Sequence, residues 1–357
     1  MSEPKSRFLR ACRRLPVDAT PVWFMRQAGR YMPEYRAIRE KYSLLEIVER
    51  PEIAAQVTMQ PVHALGVDAA ILFADILLPI VPMGLKLEFV AGHGPVIHNP
   101  VRSKRDVDRL RVLDPRSDLG FVLETIGLVR QELNEATPLI GFAGAPFTMA
   151  SYMVEGGPSR HYLHAKSMMY SAPDLWHRFM DKVAQALTAY LLSQVEAGAQ
   201  AVQLFDSWVG ALSPGDYAAF VQPYSRQVLG AIMATGVPVI HFGTGTASLL
   251  NLMKQAGGTV IGLDWRVPLD EGWKTLGTDV AVQGNLDPVS LYAPLPVLRQ
   301  RVGDVLKRAN GQPGHIFNLG HGIIKTTPVE NARAVVDMVH EMSAQKMSAN
   351  GKLINSI

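Results

Sequence analysis

One cysteine, Cys12, is all that the 357 residues contain. That excludes an internal disulfide and any zinc site built from several thiolates, and it fits a reducing compartment, with the cytoplasm as the expectation. Long apolar runs are missing as well. None approaches the roughly 18 residues that a membrane span requires, and Met1–Arg14 carries scattered charges with no apolar signal-peptide core. The reading is no signal peptide, no transmembrane helix and no membrane partner. Charge of one sign is scarce too. With 35 Lys and Arg against 32 Asp and Glu the net is only +3, which argues against a nucleic-acid binder. Nor does a Pro/Ser-rich linker divide the chain, so residues 1–345 read as one domain and 346–357 as a polar C-terminal tail.

What is present is a 48% apolar chain with arginine dense near its start, at Arg7, Arg10, Arg13, Arg14, Arg26, Arg30, Arg36 and Arg39. That local excess suggests an anionic small-molecule substrate.

Eight short apolar runs alternate with helical periodicity: Val22–Met25, Ala69–Phe73, Leu139–Ala143, Ala201–Phe205, Val237–His241, Val260–Leu263, Val280–Gln283 and Ile316–Leu319. Most are continuous rather than alternating, the pattern of strands buried on both faces of a parallel sheet. Helical patterns cover Asp174–Ala197, Pro214–Thr235 and Ala247–Ala256, each followed by glycine. Ser43-Leu44-Leu45-Glu46 and Thr327-Pro328-Val329-Glu330 have the form of capping boxes, and Ser213-Pro214-Gly215-Asp216 is a looser version. Eight such units point to a single α/β domain, a (β/α)8 TIM barrel. After the second run, Leu85–Phe89 alternates and Gly92-His93-Gly94-Pro95 turns, which predicts an inserted β-hairpin.

In such a barrel the chemistry lies at the C-terminal strand ends. The first run ends in Arg26-Gln27-Ala28-Gly29-Arg30, the second in Ala74-Asp75, the fourth in Asp206-Ser207-Trp208 and the eighth in Gly320-His321-Gly322. Arg26 and Arg30 either clamp ligand carboxylates or pair with internal acids. Asp75, set between apolar runs, needs a cationic or N–H partner, either a ligand or a structural arginine. Ser207 lacks a nucleophile elbow, so hydrogen bonding or helix capping suits it better than covalent catalysis. His321 between two glycines can approach a ligand closely. Tyr152 reads equally as core or site. His161 and His164 have no third partner and read as a surface pair rather than a metal site.

These segments resemble the uroporphyrinogen decarboxylase family over nearly the whole chain. The likeness rests on the run from Phe24 to Arg36, Phe73-Ala74-Asp75-Ile76-Leu77, Gly141 to Thr148 with Ser151 to Gly157, Gln203 to Trp208, Gly262 to Arg266 and Asn318 to Gly322. The resemblance implies a (β/α)8 barrel, a homodimer, no cofactor or metal, and removal of carbon dioxide from the four acetates of uroporphyrinogen III to give coproporphyrinogen III. It implies substrate contacts at Arg26, Gln27, Ala28, Gly29, Arg30, Asp75, Tyr152, Ser207 and His321, with Asp75, Arg26 and Arg30 catalytic. Lys325 and Pro158 depart from the family pattern, which puts local loop shape in question.

Two other readings compete. A zinc-dependent corrinoid methyltransferase of the same superfamily would use His and Cys ligands late in the chain, where this sequence has no cysteine. A non-catalytic tetrapyrrole-binding protein would not need Arg26, Arg30, Asp75, Tyr152, Ser207 and His321 all intact.

Overall fold

The computed structural model describes residues 4–90 and 92–344, together with the backbone of 346–347 and 353–354. In chain order its strands are β1 (Ala70–Ile71), β2 (Leu87–Val90), β3 (Gly94–Ile97), β4 (Leu139–Gly144), β5 (Ala201–Asp206), β6 (Val239–Gly243), β7 (Val260–Gly262), β8 (Ala281–Gln283) and β9 (His315–Ile316). Seven of them form a curled sheet in the order β1-β4-β5-β6-β7-β8-β9, every pairing parallel. Helices return the chain between successive strands, as parallel pairing demands. The continuous apolar runs are explained by burial on both faces: every residue of β4 and β6 is buried. One hydrophobic cluster runs from Phe8 to Val339.

The first expected strand is reduced to a single bridge, Val22 to Phe317. Side chains occupy the amides that a longer ladder would use. Gln27 Oε1 accepts from Phe24 N at 3.1 Å, and Asn318 Oδ1 accepts from Met25 N at 3.2 Å. The segment is still bonded on both sides, because Phe317 N donates to Pro21 O and Asp68 N to Val22 O, each at 2.8 Å.

β2 and β3 form a separate antiparallel pair, with Leu87 opposite Ile97 and Val90 opposite Gly94. Ile97 N donates to Gly156 O, which ties this pair to the end of helix Pro146–Glu155. Of the tail, the backbone at 346–347 pairs antiparallel with 353–354, and the rest lies outside the described residues.

Two helix expectations need correction. The pattern at Pro214–Thr235 is two helices, Pro214–Phe220 and Gln222–Met233, broken at Val221 with φ −129°. Pro223 has no N–H to continue the first helix and suits the first turn of a second. Thr327 does not cap its helix; the N-cap is Pro328, without a side-chain hydrogen bond, and the helix starts at Val329. The boxes at Ser43 and Ser213 do form their caps, Ser43 with the reciprocal Glu46 bond.

The helix Pro173–Ala197 buries one face, including Trp176, Phe179, Val183, Leu187, Tyr190 and Leu191. Fully burying one such large apolar side chain is worth about 1.5–3 kcal/mol. Within the curl of the sheet, Trp23 Nε1 donates to Gln283 Oε1, and Gln283 Nε2 donates to Gln203 Oε1, both at 3.0 Å. These bonds connect the first segment to β8 and β8 to β5, and they pair Trp23 Nε1, both ends of the Gln283 amide and Gln203 Oε1, which burial would otherwise penalise.

Candidate active site

A cavity of about 790 Å³ opens above the C-terminal strand ends. Arg26, Ala28, Gly29, Arg30, Asp75, Ser207 and His321 all line it, so residues up to 295 positions apart in the chain meet at one place. Gln27 does not line it. Its side chain is buried, and Nε2 donates to Ala69 O while Oε1 holds the Phe24 amide. Tyr152 is not among the lining residues either. Its ring lies against Trp208, with centroids 3.8 Å apart.

Arg26 is held by a tight turn. Gln27 N donates to Phe24 O, Tyr31 Oη donates to Gln27 O at 2.6 Å, and Arg26 takes φ +60°. A non-glycine residue there costs about 1–2 kcal/mol, which the surrounding bonds offset. Among the described residues no carboxylate forms an ion pair with Arg26 or Arg30, so the cavity is left two uncommitted guanidinium groups. The other N-terminal arginines correct the expectation of a single anion-binding cluster. Arg7 pairs with Asp18 and Asp68, Arg14 donates to Thr278 O, and Arg36 and Arg39 donate to nearby carbonyls.

Asp75 keeps a small surface facing the cavity but is otherwise enclosed. Burial pushes its carboxyl above the usual range, against the opposing pull of the Leu77 amide and the Arg26 charge. Its partner is an N–H rather than a paired arginine: Leu77 N donates to Oδ1 at 2.8 Å. The carboxylate is therefore short of donors until a ligand supplies them.

His321 lines the cavity from the segment that follows β9. Gly322 N donates to Nδ1 at 2.6 Å, so the neutral ring carries its proton on Nε2 and offers a donor. Burial, with Arg26 and Arg266 nearby, lowers its pKa to about 4. The Tyr152 phenol is pushed up to about 12 by burial and the Asp75 charge, and so stays protonated. Helix Pro146–Glu155 places Thr148 and Tyr152 one turn apart. Thr148 Oγ1 donates to the buried Asp206 at 3.1 Å and accepts from Trp208 N, coupling this helix to the loop that carries Ser207.

Several lining residues received no site role from the sequence: Tyr35, Phe73, Trp265, Asp287 and Lys325. Trp265 follows the sixth apolar run, Val260–Leu263, and Asp287 the seventh, Val280–Gln283, so position alone offered a signal for them. Tyr35 gave none, since it enters from helix Pro33–Arg39.

Among the described residues, no group of three or more His, Cys, Asp or Glu side chains is arranged to hold a metal ion, and no helix is long and apolar enough to cross a membrane.

The family model for uroporphyrinogen decarboxylase matches residues 3–342. A uroporphyrinogen decarboxylase of Sorangium cellulosum is 60% identical over 336 residues, covering 94% of this chain and 96% of the relative. One from Carboxydothermus hydrogenoformans is 57% identical over 337 residues, with 94% and 96% covered. Among solved structures, a methyltransferase from Methanosarcina mazei superposes with a TM-score of 0.80 at 20% identity, covering 94% of this chain and 97% of its own. That last likeness shows a shared fold.

Proposed function

The chain belongs to the uroporphyrinogen decarboxylase family, and we propose that its cavity is where uroporphyrinogen loses carbon dioxide, with Asp75 as the central group. The reaction is that of a carboxy-lyase in porphyrin biosynthesis. It takes uroporphyrinogen III to coproporphyrinogen III by loss of four acetate carboxylates.

The observation that carries the assignment to this cavity is Asp75: one enclosed carboxylate, with the Leu77 amide as its bonded partner, beside two unpaired arginines. The substrate's four pyrrole N–H groups converge on one centre and match a carboxylate that needs donors. Its eight carboxylates match Arg26 and Arg30. Protonation of a pyrrole ring carbon gives a cation that draws electrons from the adjacent acetate. The C–C bond to the carboxylate breaks, carbon dioxide leaves, the resulting exocyclic methylene takes up a proton to become a methyl group, and the ring carbon releases the proton it had gained, which restores the pyrrole. The ring supplies its own electron sink, so no cofactor is required. Asp75 stabilises the developing cation. Once pyrrole donors reach it, its ionised form is favoured again. Arg26 or Arg30 orients the reacting carboxylate or delivers the proton. The remaining substrate contacts are Ala28, Gly29, Ser207 and His321; Gln27 and Tyr152, which do not line the cavity, act on it indirectly, Gln27 through the turn that it braces and Tyr152 through its packing on Trp208, the neighbour of Ser207.

The same reading takes residues 1–345 as one (β/α)8 barrel domain, with 346–357 as a tail. The bonds on both sides of Val22 support closure as the eighth strand, and the β2–β3 pair reads as the insertion after the second strand. The protein is proposed to be a cytoplasmic homodimer. Val289, Tyr292, Leu295 and Val297 form an exposed apolar run whose first residue lines the cavity, which supports a partner subunit close to the site.

The test is anaerobic incubation of the purified protein with uroporphyrinogen III, followed by chromatography of the oxidised products. The reading expects seven- to four-carboxylate products in sequence. Their absence, with the substrate still bound, would favour a non-catalytic binder.

A further inference from the structure

We infer that Lys325 is a third cationic anchor for the substrate, engaging a carboxylate at the mouth of the cavity; this rests on the functional reading above. Lys325 lines the cavity on the loop that leaves His321 and Gly322. It is exposed, and among the described residues no carboxylate pairs with it. The remaining ionisable lining groups make the charge balance clear. Arg26, Arg30 and Lys325 face Asp75 and Asp287. Asp287 is already engaged at the start of the following turn, where its Oδ1 accepts from Val289 N at 2.9 Å. Burial favours the protonated form of Asp75 until a ligand supplies donors. The open cavity is therefore a net cationic surface, and Lys325 supplies one of its three fixed positive charges.

The loop beneath Lys325 is anchored. Ile323 N donates to Met25 O at 2.9 Å, which fixes it beside the turn that carries Arg26. Thr327 N donates to Ile324 O at 3.0 Å, closing a turn around Lys325, and Thr326 Oγ1 is hydrogen-bonded to Tyr292 Oη at 2.7 Å. With its backbone held on both sides, the ammonium is restricted to what its own stem can sweep over the cavity mouth. A cation on a long flexible stem suits this place, because it can follow successive intermediates as carboxylates are lost.

The experiment compares the parent protein with Lys325→Met and Lys325→Arg in anaerobic steady-state turnover of uroporphyrinogen III, at low and high ionic strength. Lys325→Met should raise KM about 2- to 5-fold at low salt, the size expected of a single exposed charge contact, with kcat within about twofold. The gap should close at high salt as screening removes the contact. Lys325→Arg should stay near the parent. Turnover by the parent with the same KM for Lys325→Met at low salt would overturn this inference alone. No turnover by the parent would overturn the functional reading and this inference with it.

Discussion

Gly322 makes the space that the Arg26 side chain occupies. A β-carbon at position 322 would stand 2.5 Å from Arg26 Cδ and 2.7 Å from Cγ, closer than carbon atoms can pack. Gly322 is not among the glycines with positive φ, so alanine suits its backbone and the conflict is with the arginine alone. Gly322→Ala should therefore push Arg26 out of place while the fold persists. A misplacement near 1 Å in a reacting group costs about 100-fold. The expected outcome is a kcat/KM lower by about 10- to 100-fold with an unfolding midpoint close to the parent's. A parental kcat/KM would show that Arg26 does not need that position.

His321 makes a prediction about acid stability. Its folded pKa is about 4 against an ordinary 6.5. Between those values the unfolded chain takes up a proton that the folded chain refuses, so stability falls as the pH drops through that window. Replacing His321 with Gln removes this group from the balance. The variant should lose less stability than the parent between pH 7 and pH 5, by about 2 kcal/mol, as read by denaturant titration at the two pH values. Equal losses would mean that the imidazole is not held neutral by its surroundings.

Asp75 has the opposite sign. Burial raises its pKa, so the folded chain holds that proton more firmly than the unfolded chain does. Its contribution to stability is full below the unfolded pKa and is lost as the pH rises through the folded one. Asn at this position keeps an oxygen for the Leu77 amide and has no charge to bury. Asp75→Asn should be more stable than the parent at pH 8, by about 0.5–2 kcal/mol, the gain usual when a functional site is relaxed. The advantage should vanish near pH 4. A less stable variant at pH 8 would show that the ionised carboxylate is stabilised by the protein rather than held for a ligand.

Much of this site was legible in the sequence because a curled parallel sheet brings its C-terminal strand ends together whatever their distance along the chain. Arg26, Asp75, Ser207 and His321 each follow an apolar run, and all four line one cavity. Gln27 was misplaced for a reason that no run reveals. The turn that gives Arg26 its positive φ sends the Gln27 side chain inward to the Phe24 amide and the Ala69 carbonyl. Tyr152 follows the same lesson: it reads equally as core or site from the sequence, and its ring contact with Trp208 depends on how helix Pro146–Glu155 packs over β5. The break at Val221 was invisible to periodicity because the apolar spacing continues across it, though Pro223 signalled it. The first strand shrank to one bridge because Gln27 and Asn318, distant in sequence, take its amides. Lys325 was noticed only as a departure from a pattern; its place at the cavity mouth depends on bonds to Met25 and Tyr292 that lie far away in the chain.

The role proposed for Asp75 is to stabilise the cation formed on the substrate, and it is read out by single-turnover decarboxylation of uroporphyrinogen III by Asp75→Asn under anaerobic conditions. Removing the charge while keeping the shape should slow loss of the first carboxylate by about 100- to 1000-fold or more, the range typical of deleting one preorganised electrostatic group. A rate near the parent's, in a variant shown to be folded and to bind the substrate, would contradict the account.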